Sequence, residues 1–140
     1  MKLLLIYGEK NVGKTTVCRR LYSAFKGMGA TVQHYERIND WNDFESVLTL
    51  AGSKIAIYSA GDEKINVVNA RKLGENWGCD VLIASVSYGI HYNETLEDLE
   101  NNKDFFWFTL ERGDDDAEMD LNESRMVLDL LNKTSEVIKL

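Results

Sequence analysis

The sequence predicts an α/β protein: a three-layer α/β/α arrangement with about five mainly parallel strands. Five segments rich in apolar, β-branched or aromatic residues recur along the chain, KLLLIY (2–7), TVQHYE (31–36), KIAIYS (54–59), DVLIASVS (80–87) and DFFWFTL (104–110). Most are near-continuous apolar runs, which is how strands buried on both faces read. Helix-period segments separate them, and strands alternating with helices through short links imply right-handed crossovers and helices on both faces of the sheet.

Taken in order, KLLLIY is the first strand and runs directly into Gly8. A helix is expected over 14–28, where Val17, Leu21, Phe25 and Met28 share a face and Gly27 and Gly29 supply stop signals. The second strand follows, then RINDWNDFE (37–45), a candidate mobile loop in which Trp41 serves equally well as a packing anchor. Weaker helical patterns cover 63–76 and 93–102. From Leu121 a final helix gathers Leu121, Val127, Leu128, Leu131, Val137 and Ile138 into one broad stripe, and Asp120 with Glu123 resembles a capping box.

The totals bound the function. A chain of 140 residues is the size of one domain, residues 1–140, and buries roughly 70% of its unfolded surface. Sixteen basic against 23 acidic residues give a net charge of −7, which opposes broad nucleic-acid binding. No apolar run approaches the roughly 20 residues that span a bilayer. The apolar stretch after Met1-Lys2 stops at Gly8-Glu9-Lys10, short of a signal peptide, so a cytoplasmic location is expected. Cys18 and Cys79 lack metal-ligand or disulfide spacing and read as reduced packing residues.

LLLIYGEKNVGKTT (3–16) fits GxxxxGK[ST] with Gly8, Gly13, Lys14 and Thr15, after a strand and at the start of an amphipathic helix. That setting is what polyphosphate binding needs. Glycines let backbone N–H groups curl around the anion, and the helix aims its positive end at it. The expected binding loop is Gly8, Glu9, Lys10, Asn11, Val12, Gly13, Lys14, Thr15 and Thr16. Lys14 adds a mobile cation for the terminal phosphates, and the Thr15 hydroxyl suits Mg²⁺.

On these residues the chain resembles the P-loop nucleoside triphosphatases, which implies their fold, binding of a nucleoside triphosphate and a Mg²⁺ cofactor. GEKNVGKTT followed by LYSAFKGMGATV is most similar to the opening of the molybdopterin-guanine dinucleotide biosynthesis adapter GTPases. ParA-like ATPases are less similar, because their additional signature lysine would fall at Glu9. YSAGDE resembles in outline the DxxGxE segment of Ras-like GTPases, with Tyr58 in the place of the metal-binding aspartate.

Such a site requires a carboxylate at the end of a neighbouring strand. Asp62 is the expected metal partner of Thr15, with capping of the helix at 63–76 as its alternative role. Glu63 is a candidate for orienting or deprotonating water, or simply a first-turn acid favoured by the helix dipole. Asp80 precedes its strand and is expected at the wrong edge. Arg37, Ser87, Tyr88 and Arg112 follow strands and are expected on the ligand side. Asp114, Asp115 and Asp116 read as a solvated loop, and His34 and His91 lack metal-ligand spacing. The guanine-reading NKxD motif has only a broken echo in Asn101-Asn102-Lys103-Asp104, which leaves ATP as the default base over GTP.

The expected function is therefore Mg²⁺-dependent hydrolysis of a nucleoside triphosphate, with Lys14, Asp62 and Glu63 in the chemistry. A small-molecule kinase and a non-catalytic module that binds a protein partner in response to nucleotide are the alternatives.

Overall fold

The computed structural model describes residues 1–9, 12–39, 42–87 and 104–139; the helix expected over 93–102 lies outside them. The described chain runs β1 (Lys2–Gly8), α1 (Lys14–Gly27), β2 (Thr31–Arg37), β3 (Phe44–Leu50), β4 (Ser53–Tyr58), α2 (Lys64–Trp77), β5 (Val81–Ser87), β6 (Phe105–Thr109) and α3 (Asp116–Ile138). It is an α/β fold built on one six-stranded sheet of order β2-β3-β4-β5-β1-β6. Neighbours pair in parallel except β3, which is antiparallel to both β2 and β4.

β1 is an interior strand, between β5 and β6, and its side chains are apolar on both faces. Leu4 and Ile6 pack with Val17, Leu21 and Phe25 of α1 and with Met126 and Leu130 of α3. Leu3 and Leu5 face the other way, toward Val67, Ala70 and Leu73 of α2. β5 is buried along its whole length, as its uninterrupted apolar sequence requires. The edge strand β2 instead alternates in exposure over its first residues and ends exposed.

β3 is the element that the sequence reading missed. Phe44-Glu45, expected at the end of a loop, open a strand that pairs with β2 on one side and, as a hairpin, with β4 on the other. The connection of β3 to β4 is a two-residue turn at Ala51 (φ 51°) and Gly52 (φ 80°). Positive φ at both positions matches the twist of a tight hairpin. Because β3 runs backwards, its first residue lies at the same sheet edge as the carboxyl ends of the parallel strands.

Two further boundaries differ from expectation. α3 starts five residues earlier, at Asp116, because the Asp115 carboxylate accepts the Glu118 amide at 2.8 Å and caps it. Of the acidic run, Asp115 is thus the cap and Asp116 the first helical residue, while Asp114 lies in the solvated loop that was expected. The stripe α3 buries is Glu123, Met126, Leu130 and Thr134, flanked by Val127, Leu131, Val137 and Ile138, which leaves Leu121 and Leu128 exposed. Met28, expected on the buried face of α1, is its exposed C-cap.

α1 and α3 are braced at the margin of their contact by Arg20. Its guanidinium lies 2.7 Å from Asp120 and 3.3 Å from Glu123, and donates to Ser124 Oγ at 3.2 Å.

Candidate functional site

The carboxyl ends of β1 and β4, the start of β3 and the N-terminus of α1 converge on a cleft of about 810 Å³. Gly13, Lys14, Thr15, Thr16 and Arg19 form one wall; Asn39, Asn42, Asp43 and Ser59 form another; Gly61, Asp62, Glu63 and Asn66 close it. Lys10 and Asn11 lie outside the described residues.

α1 begins at Gly13, which holds φ 101° and supplies no side-chain cap. An L-residue rarely adopts that φ. A Cβ there would also fall 2.4 Å from Glu123 Oε1. The first intrahelical bond of the turn is Val17 N–H to Gly13 O at 3.0 Å. The amides of Lys14, Thr15 and Thr16 therefore have no acceptor within the helix. They stand at the cleft with the positive end of the helix dipole behind them.

Lys14 is nearly fully buried, and its ammonium donates to the carbonyls of Gly8 at 2.8 Å and Glu9 at 2.6 Å. Burial lowers its pKa, while Asp62 and, more weakly, Asp43 and Glu9 act in the opposite direction. Gly8 has no room for a side chain, since a Cβ would sit 2.8 Å from Leu110 O and 3.0 Å from Val12 Cγ2. Val12 itself is buried and packs into the α1 side of the core, so it anchors the loop instead of facing the cleft.

The carboxylate that meets Thr15 is Asp43. Thr15 Oγ1 and Ser59 Oγ both donate to Asp43 Oδ1 at 2.9 Å, and Asn39 Nδ2 donates to Oδ2 at 3.1 Å. Ser59 Oγ in turn accepts the Phe44 amide at 2.9 Å, tying the ends of β3 and β4 together. Asp43 is in reach only because β3 is antiparallel, so the residue preceding it is delivered to the ligand edge.

Asp62 also reaches the cleft, where Ser87 Oγ at the end of β5 donates to its carboxylate. It does not cap α2: the cap position is Glu63, which makes no side-chain cap bond. Glu63 lines the cleft and is exposed. The preceding Gly61 admits no Cβ, which would fall 2.0 Å from Ser85 O, so the chain leaves β4 pressed against β5. Asp80 sits at the opposite edge, accepting the Lys54 amide at 2.9 Å.

Of the remaining candidates, Ser87 acts through Asp62. Arg112 sits beside the loop, 3.6 Å from Glu9. Arg37 ends the exposed edge strand and is not among the residues lining the cleft. Tyr58 points into the α2 side of the core, and burial raises its pKa. Trp41, Tyr88, His91 and the segment Asn101-Asn102-Lys103 lie outside the described residues. Arg19 went unrecognised in the sequence. Its guanidinium stands 5.1 Å over the Phe44 ring and donates to Asn42 O. Both cysteines are free and buried, and burial pushes Cys18 up to about 12 and Cys79 to about 11.

The cleft thus gathers three carboxylates, Asp43, Asp62 and Glu63, against two cations, Lys14 and Arg19. A polyphosphate enters such a site readily only with a divalent cation to neutralise the facing charges. No protein-family model, curated protein or solved structure matches the chain. Among the described residues, no helix is long and apolar enough to cross a membrane.

Proposed function

We propose that the protein binds a nucleoside triphosphate with Mg²⁺ in this cleft and hydrolyses it at the γ-phosphate, as a small P-loop nucleoside triphosphatase. The observation that carries the reading is the junction of Thr15 Oγ1 and Asp43 Oδ1, 2.9 Å apart at the N-terminus of α1, with Lys14 one residue away. A hydroxyl and a carboxylate are the hard oxygen donors Mg²⁺ prefers, so the residues fit that ion. Thr15 and Asp43 would hold it, with Asp62, which also lines the cleft, as the second carboxylate.

When bound, Mg²⁺ supplies neutralisation of charge on the phosphate oxygens. The chain's own part is positional. The amides of residues 14–16 donate to the phosphates without reorganisation, because the helix already holds them in place. Lys14 exchanges its carbonyl partners at Gly8 and Glu9 for phosphate oxygens, which satisfies a buried cation better than neutral carbonyls do. Glu63, exposed at the cleft, is the side chain available to orient the attacking water. No cation beyond Lys14 and Arg19 faces the cleft among the described residues, which fits slow turnover. ATP is the default base, since the guanine-reading motif is absent from the sequence.

The extension of the cleft to Asn39 and Asn66 favours a second reading, transfer to a small acceptor. Calorimetric titration with ATP and GTP, in Mg²⁺ and in chelator, followed by phosphate release without acceptor, tests both. Binding that Lys14→Ala weakens by roughly 1.5–3 kcal/mol is expected. Absence of binding by either triphosphate refutes the proposal, and turnover that starts only on adding a hydroxyl or amine acceptor replaces hydrolysis with transfer.

A further inference from the structure

We propose that His34, Glu36 and Glu45 form a binding site for one transition-metal cation of the zinc class on the α2 side of the sheet. None of the three lines the cleft. Their ligand atoms, an imidazole nitrogen and two carboxylate oxygens, lie within 4.8 Å of one another. His34 Nε2 and Glu45 Oε2 are 3.1 Å apart. Two donors on a tetrahedral ion with bonds of about 2.0–2.1 Å stand roughly 3.4 Å apart, so this pair is already at ligand spacing.

The strand register builds the cluster. Val32 pairs with Leu48 and packs on the α1 side, so an undisturbed strand would send His34, two residues on, to that same side. The register shifts between Val32 and His34, and His34 pairs instead with Val47, whose side chain belongs to the α2 side. The bulge therefore turns His34 onto the face that carries Glu45. Glu36, two residues further, shares that face and is the direct cross-strand partner of Glu45. The Trp77 ring of α2 lies 5.5 Å from the imidazole and restricts its orientation.

Charge points to a cation. Like charges directly opposite on paired strands destabilise a sheet. Among the described residues neither Glu36 nor Glu45 is paired with a lysine or arginine. A divalent ion balances both carboxylates while the imidazole stays neutral. The nitrogen donor selects Zn²⁺ or Co²⁺ over Mg²⁺ or Ca²⁺, which prefer oxygen alone. Three protein ligands leave a fourth position for water, and the partial exposure of His34 and Glu45 gives a path to it.

The test is a Co²⁺ titration of the full nucleotide-free chain in excess Mg²⁺, read by visible absorption, then displaced by Zn²⁺. The imidazole resonances of His34 are followed by NMR. Expected are one tetrahedral Co²⁺ per chain, a Zn²⁺-dependent shift of His34, and at least about tenfold weaker binding in His34→Gln and in Glu45→Gln. Glu36→Gln, at an exposed position, gives the same direction with the least risk to folding, and metal-free melting curves check that each variant is folded. No Co²⁺ or Zn²⁺ binding, an unmoved His34 resonance, or unchanged affinity in folded His34→Gln or Glu36→Gln overturns the site and leaves His34 and Glu45 as a simple hydrogen-bonded pair.

Discussion

Replacing Asp43 by Asn removes one charge while keeping an oxygen where Thr15 and Ser59 donate. Two charge-assisted bonds of 2.9 Å become neutral ones, and the new amide faces the amide of Asn39, 3.1 Å away, donor against donor. Charged bonds contribute roughly 1.5–3 kcal/mol and neutral ones roughly 0.5–1.5 kcal/mol; the partial exposure of the group reduces the difference. The expected loss of stability is therefore about 1–2 kcal/mol, a fall in melting temperature of roughly 3–8 °C. The effect on ligand binding changes sign with the metal. In chelator the variant binds ATP more tightly than wild type, because one carboxylate no longer faces the phosphates. In Mg²⁺ it binds more weakly, by roughly 1.5–3 kcal/mol, because a partner of the metal's shell is gone. Calorimetry at low temperature, on Asp43→Asn and Asp62→Asn side by side, measures both. If Asp43→Asn responds to Mg²⁺ as wild type does and Asp62→Asn does not, the assignment of Asp43 beside Thr15 is wrong and Asp62 alone serves the metal.

Lys14→Met weakens triphosphate binding by roughly 1.5–3 kcal/mol yet raises the melting temperature of the nucleotide-free protein at neutral pH. Burial lowers the lysine's folded pKa, so between that value and the unfolded value near 10.4 the unfolded chain holds more protons and stability rises with pH. The variant should lack that rise; a drop in its neutral-pH melting temperature would contradict the account. Gly61→Ala places a Cβ 2.0 Å from the Ser85 carbonyl, a backbone atom that cannot rotate away, and should cost about 3 kcal/mol in urea unfolding. Gly13→Ala meets the movable Glu123 side chain, so adding Glu123→Ala recovers part of its loss in a double-mutant cycle; strict additivity would show that no contact exists. Cys18 and Cys79 should resist alkylation at pH 8 until the protein is unfolded, as mass spectrometry will show, since burial holds both thiols protonated.

The legible parts of the chain were those in which local pattern and final environment coincide. β1 and β5 read as doubly buried because their apolar runs are continuous, and α1 because Val17, Leu21 and Phe25 repeat on one face. Lys14 and Thr15 were recognisable through spacing alone. β3 was missed because RINDWNDFE looks like a polar connection and masks the strand that starts at Phe44. Ala51-Gly52 between FESVLTL and KIAIY was the available signal, a two-residue hairpin turn. Missing that strand hid Asp43, whose place depends on strand direction. Asp62 was found because a parallel strand ends just before it. The cluster around His34 was invisible for a different reason: residues 34, 36 and 45 meet only through a bulge and a cross-strand register, which spacing does not encode.

The brace between α1 and α3 sets an order of manufacture. Arg20 meets Asp120 and Ser124 across 100 and 104 positions of chain, and Glu123 lies against Gly13 at the mouth of the loop. A ribosome completes the GKT segment early, when none of these supports has been made. The nascent loop therefore emerges without the helix that packs beside it, and the contacts of Arg20 and Glu123 form only after α3 has been synthesised. The earliest part of the chain to carry a recognisable signature is among the last to gain its full set of contacts.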